Sequence, residues 1–194
     1  AHLSGDGGTG DPTEIALRQS GHKGGVRREQ IRRVEEIPFD SSTKFMAVLV
    51  DTDQGRQIWV KGAPEVVLGM CDLTLDAQGL TVSLDSTCVT DQATAFASDA
   101  LRTLGFAMKS VTADHADLRH EDLAGLVFVG LQGMIDPPRA AAKNAVAICK
   151  EAGIRIVMIT GDHPDTARAV AQLLGIQADR AVTGAELTGM NEAD

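Results

Sequence analysis

The chain contains no tyrosine, and aromatic residues make up only 3% of its 194 positions. Phe39 and the single tryptophan, Trp59, therefore need specific reasons to be present. No apolar run approaches the ~20 residues of a membrane-spanning helix, and no secretory leader pattern is read at the start. Cysteine is scarce too. Cys71, Cys88 and Cys149 lack the paired spacing of a metal site and read as reduced, buried thiols of a cytosolic protein. Basic residues are outnumbered, 18 Lys+Arg against 27 Asp+Glu, for a net charge of −9. No basic face is evident, which excludes a nucleic-acid partner. The Arg27-Arg28 and Arg32-Arg33 pairs stand among Glu29, Glu35 and Glu36 and read as a solvated helix face.

What is abundant is apolar residue in short, bounded runs, enough at 43% for a real core. The most informative run is Ile154-Arg-Ile-Val-Met-Ile159, followed by Thr160-Gly161-Asp162. Its near-continuous apolar character predicts a strand buried on both faces, as parallel strands are. A helix is expected next, with Pro164 in its first turn, Ala167, Val170, Ala171 and Leu174 on one face, and Gly175 as C-cap. A hydroxyl and a carboxylate at the carboxyl end of a parallel strand, facing a helix N-terminus, suit phosphate handling.

Two halves differ in grammar. In the first, Lys44–Asp51 and Gln57–Lys61 flank the turn-rich Thr52-Asp-Gln-Gly55, which predicts a hairpin. Helical spacing falls near Thr13–Gln19, Pro64–Met70 and Asp91–Leu104, the last with Ala97, Ala100, Leu101 and Leu104 on one face. From Gly125 the order becomes strand, helix, strand, helix over 126–131, 139–152, 154–159 and 164–174. The organisation read from this is a flexible start at 1–10, a mixed domain at 11–124 and a partial α/β segment at 125–194. The glycines Gly5, Gly7 and Gly10 match a phosphate-loop spacing, but no strand precedes them and Asp11-Pro12 follows, so they read as linker.

Five strings carry a resemblance. Gly10-Asp-Pro-Thr-Glu14-Ile-Ala-Leu17, Pro38-Phe39-Asp-Ser-Ser-Thr-Lys44-Phe-Met46, Lys61-Gly-Ala-Pro-Glu65, Asp136-Pro-Pro-Arg139 and Met158-Ile-Thr-Gly-Asp162 occur in that order. Together they resemble the cytoplasmic nucleotide-binding region of P-type cation-transporting ATPases, over essentially the whole chain after the glycine-rich start. The resemblance implies an α/β fold: an antiparallel sheet with flanking helices, followed by part of a Rossmann-like, haloacid-dehalogenase-type segment. It implies ATP as ligand, with Mg2+ accompanying the nucleotide and held mostly by groups outside this chain.

The roles follow from the same resemblance, and each suits the residue's chemistry. Phe39 matches the aromatic that stacks on adenine; a planar ring suits a purine. Glu14 matches the acid that accepts from the adenine amino group. Lys61 matches the lysine lining the adenine pocket, with Gly62 after it allowing close approach. Lys44 and Arg102 match cations that reach the phosphates, Arg102 with the option of bidentate contact. Thr160 and Asp162 match groups near the terminal phosphate, Gly161 keeps their turn open, and Asp136 belongs to the same junction. Pro137-Pro138 holds Asp136 extended. Arg139, a cation at a helix start, needs a negative partner, Asp136 or Asp162.

Asp-Lys-Thr-Gly, which carries the aspartate that accepts phosphate in this family, does not occur, and neither do the downstream Mg2+-binding aspartates. The chain thus resembles the ATP-binding cytoplasmic portion of an integral membrane cation pump. Its partners would be the actuator and transmembrane parts of that pump. The Phe39-Asp-Ser and Lys44-Phe-Met46 pairing looks most like members near the calcium-pump branch. An unpaired strand in the second half would leave an open sheet edge, favouring self-association or mobility around 176–194. The alternatives are a free-standing phosphohydrolase of the haloacid-dehalogenase type, which would need an Asp-x-Asp nucleophile that is not seen, and a non-catalytic nucleotide-binding module.

Overall fold

A computed structural model describes residues 12–25, 31–135, 138–178 and 180–190. The centre of the fold follows from one sequence block. Phe45–Thr52 (β2) is mostly apolar, with Val48, Val50 and Thr52 β-branched, and its first six residues are buried. It pairs in antiparallel register with Gly55–Gly62 (β3), Val48 opposite Trp59 and Thr52 opposite Gly55. The turn between them is set locally: Thr52 Oγ1 accepts from Gln54 N at 3.1 Å and donates to Gly55 O at 2.8 Å, and Gly55 takes φ 108°. The expected hairpin is therefore present.

Around this hairpin the sheet grows to seven strands. Arg32–Asp40 (β1) pairs antiparallel with β2, and Arg102–Ser110 (β6) pairs antiparallel with β3. Leu126–Met134 (β7), Cys71–Leu75 (β4) and Thr81–Ser83 (β5) complete the order β1-β2-β3-β6-β7-β4-β5. Strand β4 pairs parallel with β7, Cys71 opposite Leu126, and antiparallel with β5. Strand alternation divides the core into two layers. Phe45, Ala47 and Leu49 of β2 pack with Ile58, Val60, Val67, Leu118, Leu123, Leu126 and Phe128 on one side. Met46, Val48 and Val50 pack with Ile31 and Trp59 on the other. Three helices belong here: Pro12–Lys23 (α1), Pro64–Leu68 (α2) and the start of Ser86–Ser98 (α3).

The chain divides into two compact units. The first holds the sheet, up to Thr90 together with Thr103–Met134. The second holds Asp91–Arg102 and the residues from Ile135 on, including Ala140–Glu151 (α4), Pro164–Leu174 (α5) and Gly184–Gly189 (α6). Gly175 ends α5 in the left-handed conformation, φ 79°, as its position after Leu174 predicted. The buried residues of α5 are Thr166, Ala169 and Ala171, so its inner face is turned from the one expected; Thr166 Oγ1 reaches Leu101 O at 3.4 Å.

Several expectations are corrected. Leu126–Met134 is an interior strand of the large sheet, held between β6 and β4, and not the opening of a second sheet. The helix expected over 91–104 runs over 86–98. Asp85 starts it by accepting from Thr87 N and Cys88 N at 3.1 and 3.2 Å, and Arg102 already belongs to β6. Arg32 and Arg33 lie on strand β1, not on a helix face; Arg27 and Arg28 lie outside the described residues. Ile154–Ile159 is not hydrogen-bonded as a strand, and Val157 and Ile159 are 71% and 94% exposed. A parallel strand needs ladder partners on its edges, and among the described residues the second unit supplies none. The thiols are also less hidden than expected: Cys88 is exposed, and Cys71 and Cys149 are half-buried, all three unbridged.

Candidate functional site

Three strand ends meet at one edge of the first unit. In the β1–β2 ladder Asp40 faces Phe45; in the β2–β3 ladder Phe45 faces Gly62 and Met46 faces Lys61. The register alone thus places Phe39, Lys44, Lys61 and Gly62 in one neighbourhood. Phe39 owes its presentation to a break in the ladder. The β1 register slips between Ile37 and Asp40, and the side chain is left 63% exposed. Irregularities of this kind re-aim a side chain out of the pleat. Pro38, which cannot donate to a ladder, fits such a slip on an edge strand. A core role for Phe39 is thereby excluded.

The turn after Phe39 is closed by its own side chains. Asp40 accepts from Ser42 N at 2.7 Å and from Ser42 Oγ, and Lys44 N donates to Asp40 O at 2.7 Å. The two bonds from Ser42, its hydroxyl first, hold the Asp40 carboxyl below the usual carboxylate range. Lys44 adopts φ 60°, rare for a residue with a side chain. Its carbonyl accepts from Ala63 N at 3.0 Å, tying the turn to the end of β3. Gly62 is required by this contact. A Cβ there would lie 2.6 Å from Lys44 O and 2.7 Å from Phe45 Cβ. Close approach was expected at Gly62, and the chain that approaches is Lys44 and Phe45.

Lys61 is buried at 6% exposure, so it is not an ordinary surface lysine. Its ammonium forms a hydrogen-bonded ion pair with Glu14, which α1 carries onto the sheet. Trp59, Lys61 and Gln57 alternate onto one face of β3, and Trp59 Nε1 donates to Gln57 Oε1 at 2.8 Å. Removing one member of a buried pair strands the other charge and costs about 3–5 kcal/mol. Glu14 and Lys61 therefore form one unit. The more exposed Lys44 Nζ stands 3.7 Å from Glu65 Oε1. Glu65 and Asp40 are the members of this neighbourhood that sequence reasoning did not single out. Both lie inside motifs already quoted, and the signal for Asp40 was the Asp-x-Ser spacing of a side-chain-capped turn.

The remaining candidates belong to the second unit. Thr160 Oγ1 donates to Asp162 Oδ2 at 2.8 Å, and Asp162 N donates back to Thr160 Oγ1 at 3.1 Å. Arg102 Nε lies 3.6 Å from Asp162 Oδ1, so Asp162 has Arg102 as an ion partner. Gly161 has no atom within 4 Å of where a Cβ would project, so its turn is open space. Asp136 lies outside the described residues, and Arg139 is the residue preceding the first turn of α4. Among the described residues no group of three or more His, Cys, Asp or Glu side chains is placed to hold a metal ion.

An exposed aromatic on a strand slip, a buried lysine–glutamate pair beside it and a separate Thr-Gly-Asp turn define an α/β domain of the kind the five motifs implied. Comparison with known proteins agrees. Residues 4–141 match the family described as P-type ATPase, cytoplasmic domain N, and the chain belongs to that family. It is 44% identical over 193 residues to the cation-transporting ATPase pma1 of Synechocystis, covering 95% of this chain and 21% of that protein. It is 39% identical to calcium-transporting ATPase 1 of Bacillus cereus, covering 96% of this chain and 22% of that protein. Against calcium-transporting ATPase 1 of Lactococcus lactis it is 40% identical, covering 94% and 22%. The chain spans about a fifth of the length of the curated relatives it matches.

Proposed function

We propose that this chain is the ATP-binding cytoplasmic part of an ATP-driven cation pump, and that the adenine sits against Phe39 beside the Lys61–Glu14 pair. The observation that carries this reading is the exposure of Phe39 on a ladder slip of β1, at the same strand ends as a β3 lysine that is buried and charge-paired. A folded domain gains little from exposing a phenyl ring, whereas a flat ring open on one face suits a purine. Glu14 is an acceptor for an exocyclic amino group, which adenine has and a keto purine lacks at that position. Lys44 and Arg102 would meet the phosphates, and Thr160 and Asp162 the terminal one. Each of these cations already stands near a carboxylate, Lys44 by Glu65 and Arg102 by Asp162, so phosphate must displace or outcompete that carboxylate.

Mg2+ would enter with the nucleotide, which supplies phosphate oxygens to a hard cation. The intact pump would transfer the γ-phosphoryl group to an aspartate outside this sequence and couple that to cation movement across a membrane. Calcium is the ion favoured by the names of several relatives. The remainder of such a pump, including its membrane part, is the proposed partner. The reading is tested by calorimetric titration of the chain with ATP and GTP. ATP should bind and GTP should bind more weakly, with the preference lost in Glu14→Ala. Equal affinity for both purines in the unaltered chain would refute the adenine pocket. Labelled ATP and Mg2+ should give no phosphate release; release abolished by Asp162→Asn but not by Phe39→Ala would favour a free-standing phosphohydrolase.

A further inference from the structure

The two edges of the seven-stranded sheet are treated differently. Strand β1 carries Arg32, Arg33, Glu35, Glu36 and Pro38, and its register slips twice. Charges, a proline and bulges are the usual means by which an edge refuses further strands. Strand β5 has no charge, proline or bulge, and is blunted only by its shortness of three residues. Its residues Thr81, Val82 and Ser83 are uncharged and exposed, and it pairs with β4 in unbroken register. Its apolar neighbours are also uncovered: Leu73 is 36% exposed, Leu75 38%, Val82 40% and Leu80 65%. Leu73 and Leu75 face one side of the hairpin and Val82 the other, since paired residues share a face.

The hairpin is held firmly in this shape. Asp76 Oδ1 accepts from Gln78 N at 2.9 Å and Leu80 N at 2.8 Å, with Gly79 at φ 78° in the turn. Leu84 N donates to Asp72 O at 3.1 Å, and Thr74 Oγ1 anchors the other edge on Phe128 O at 3.1 Å. An exposed, pre-ordered edge loses little conformational freedom when a further strand joins it.

Charge selects what can join. Residues 62–101 include no Lys, Arg or His, while Glu65, Asp72, Asp76, Asp85, Asp91 and Asp99 fall among them. Within the hairpin and its exits the charges are Asp72, Asp76 and Asp85. A second copy of this edge would bring the same aspartates together, which disfavours edge-to-edge pairing of two copies. We infer that the β5 edge, with Leu73, Leu75, Leu80 and Val82, docks an extended polypeptide segment that alternates basic and apolar residues and adds to the sheet as an eighth strand. Main-chain hydrogen bonds supply the pairing, and the apolar side chains and aspartates supply the choice of partner. The three-residue length of β5 keeps the main-chain contribution small, so recognition rests mainly on side chains.

The inference does not depend on nucleotide binding. It is tested on the full chain with a capped hexapeptide alternating Lys and Val, followed by backbone amide shifts. Shifts should concentrate on Thr81–Ser83 and the hairpin, weaken as salt rises, and be absent with the Glu-Val counterpart. Val82→Lys should weaken binding about tenfold or more, through lost apolar contact and like charge. Leu75→Ser, at the other face, should weaken it in the same direction, while unaltered β2 and β3 amides report that each variant is folded. Equal binding of the Glu-Val peptide, shifts centred on β1, no binding at millimolar peptide, or dimerisation of the chain through β5 would each overturn the inference.

Discussion

Replacing Phe39 by alanine separates a folding role from a binding role. The side chain is 63% exposed, so a little over a third of its surface is covered. Burying a whole phenylalanine is worth about 1.5–3 kcal/mol. The covered third therefore contributes about 0.5–1 kcal/mol to stability by the same coefficient. A stacked base is worth about 1–3 kcal/mol, which is about five- to 150-fold in affinity. Phe39→Ala should therefore leave the urea midpoint nearly in place and weaken ATP by that factor. Two measurements on one protein decide it: urea unfolding followed by the fluorescence of Trp59, and calorimetric titration with ATP. A stability loss of about 3–5 kcal/mol, the range for a core Phe→Ala, with unchanged ATP affinity would refute both the exposure and the role.

Gly62→Ala should destabilise the chain by about 1–3 kcal/mol, the range for overpacking, because the new methyl meets Lys44 O and Phe45 Cβ at 2.6 and 2.7 Å; an unchanged urea midpoint would contradict it. Cys88 should react first with a thiol reagent at neutral pH, since it is exposed while burial pushes the Cys71 thiol up to about 11; mass mapping showing Cys71 first would contradict it. The Asp40 carboxyl is held below its ordinary value by Ser42. Its contribution is thus present above the unfolded value of about 3.9 and lost as pH falls through the lower folded one. Ser42→Ala should flatten that acid limb of the stability curve, and an identical limb would count against the turn.

Local rules made the hairpin and α5 legible. The Thr52–Gly55 turn and the Pro164…Gly175 bounds each carry their own stop signals, and both elements stand where those signals place them. Strands β4 and β5 escaped notice although Cys71-Asp-Leu-Thr-Leu75 and Leu80-Thr-Val-Ser-Leu84 alternate apolar and polar residues, because the strands are only five and three residues long and too short for the pattern to stand out. The run 154–159 misled for the opposite reason. Its apolar pattern describes a strand inside a parallel sheet, but a pattern names the environment that suits a segment and does not supply the neighbours. Leu126–Met134 shows the same ambiguity: its apolar run fits any interior strand, and only the ladder with Cys71–Leu75 shows which sheet it joins. Within the candidate site, residue types marked Phe39, Lys61 and Glu14. That Lys61 and Glu14 form one ion pair is a tertiary fact, 47 residues apart in sequence.

The central claim is an adenine site at Phe39, Lys61 and Glu14. Amide and side-chain NMR shifts of the full chain during ATP titration test it most directly. The account predicts shifts that begin at Glu14, Phe39, Lys61 and Gly62 and are reproduced by adenosine alone, with the Lys44 region responding further when phosphates are present. Shifts confined to Thr160–Asp162, or a response to inorganic triphosphate equal to that to ATP with none to adenosine, would contradict it.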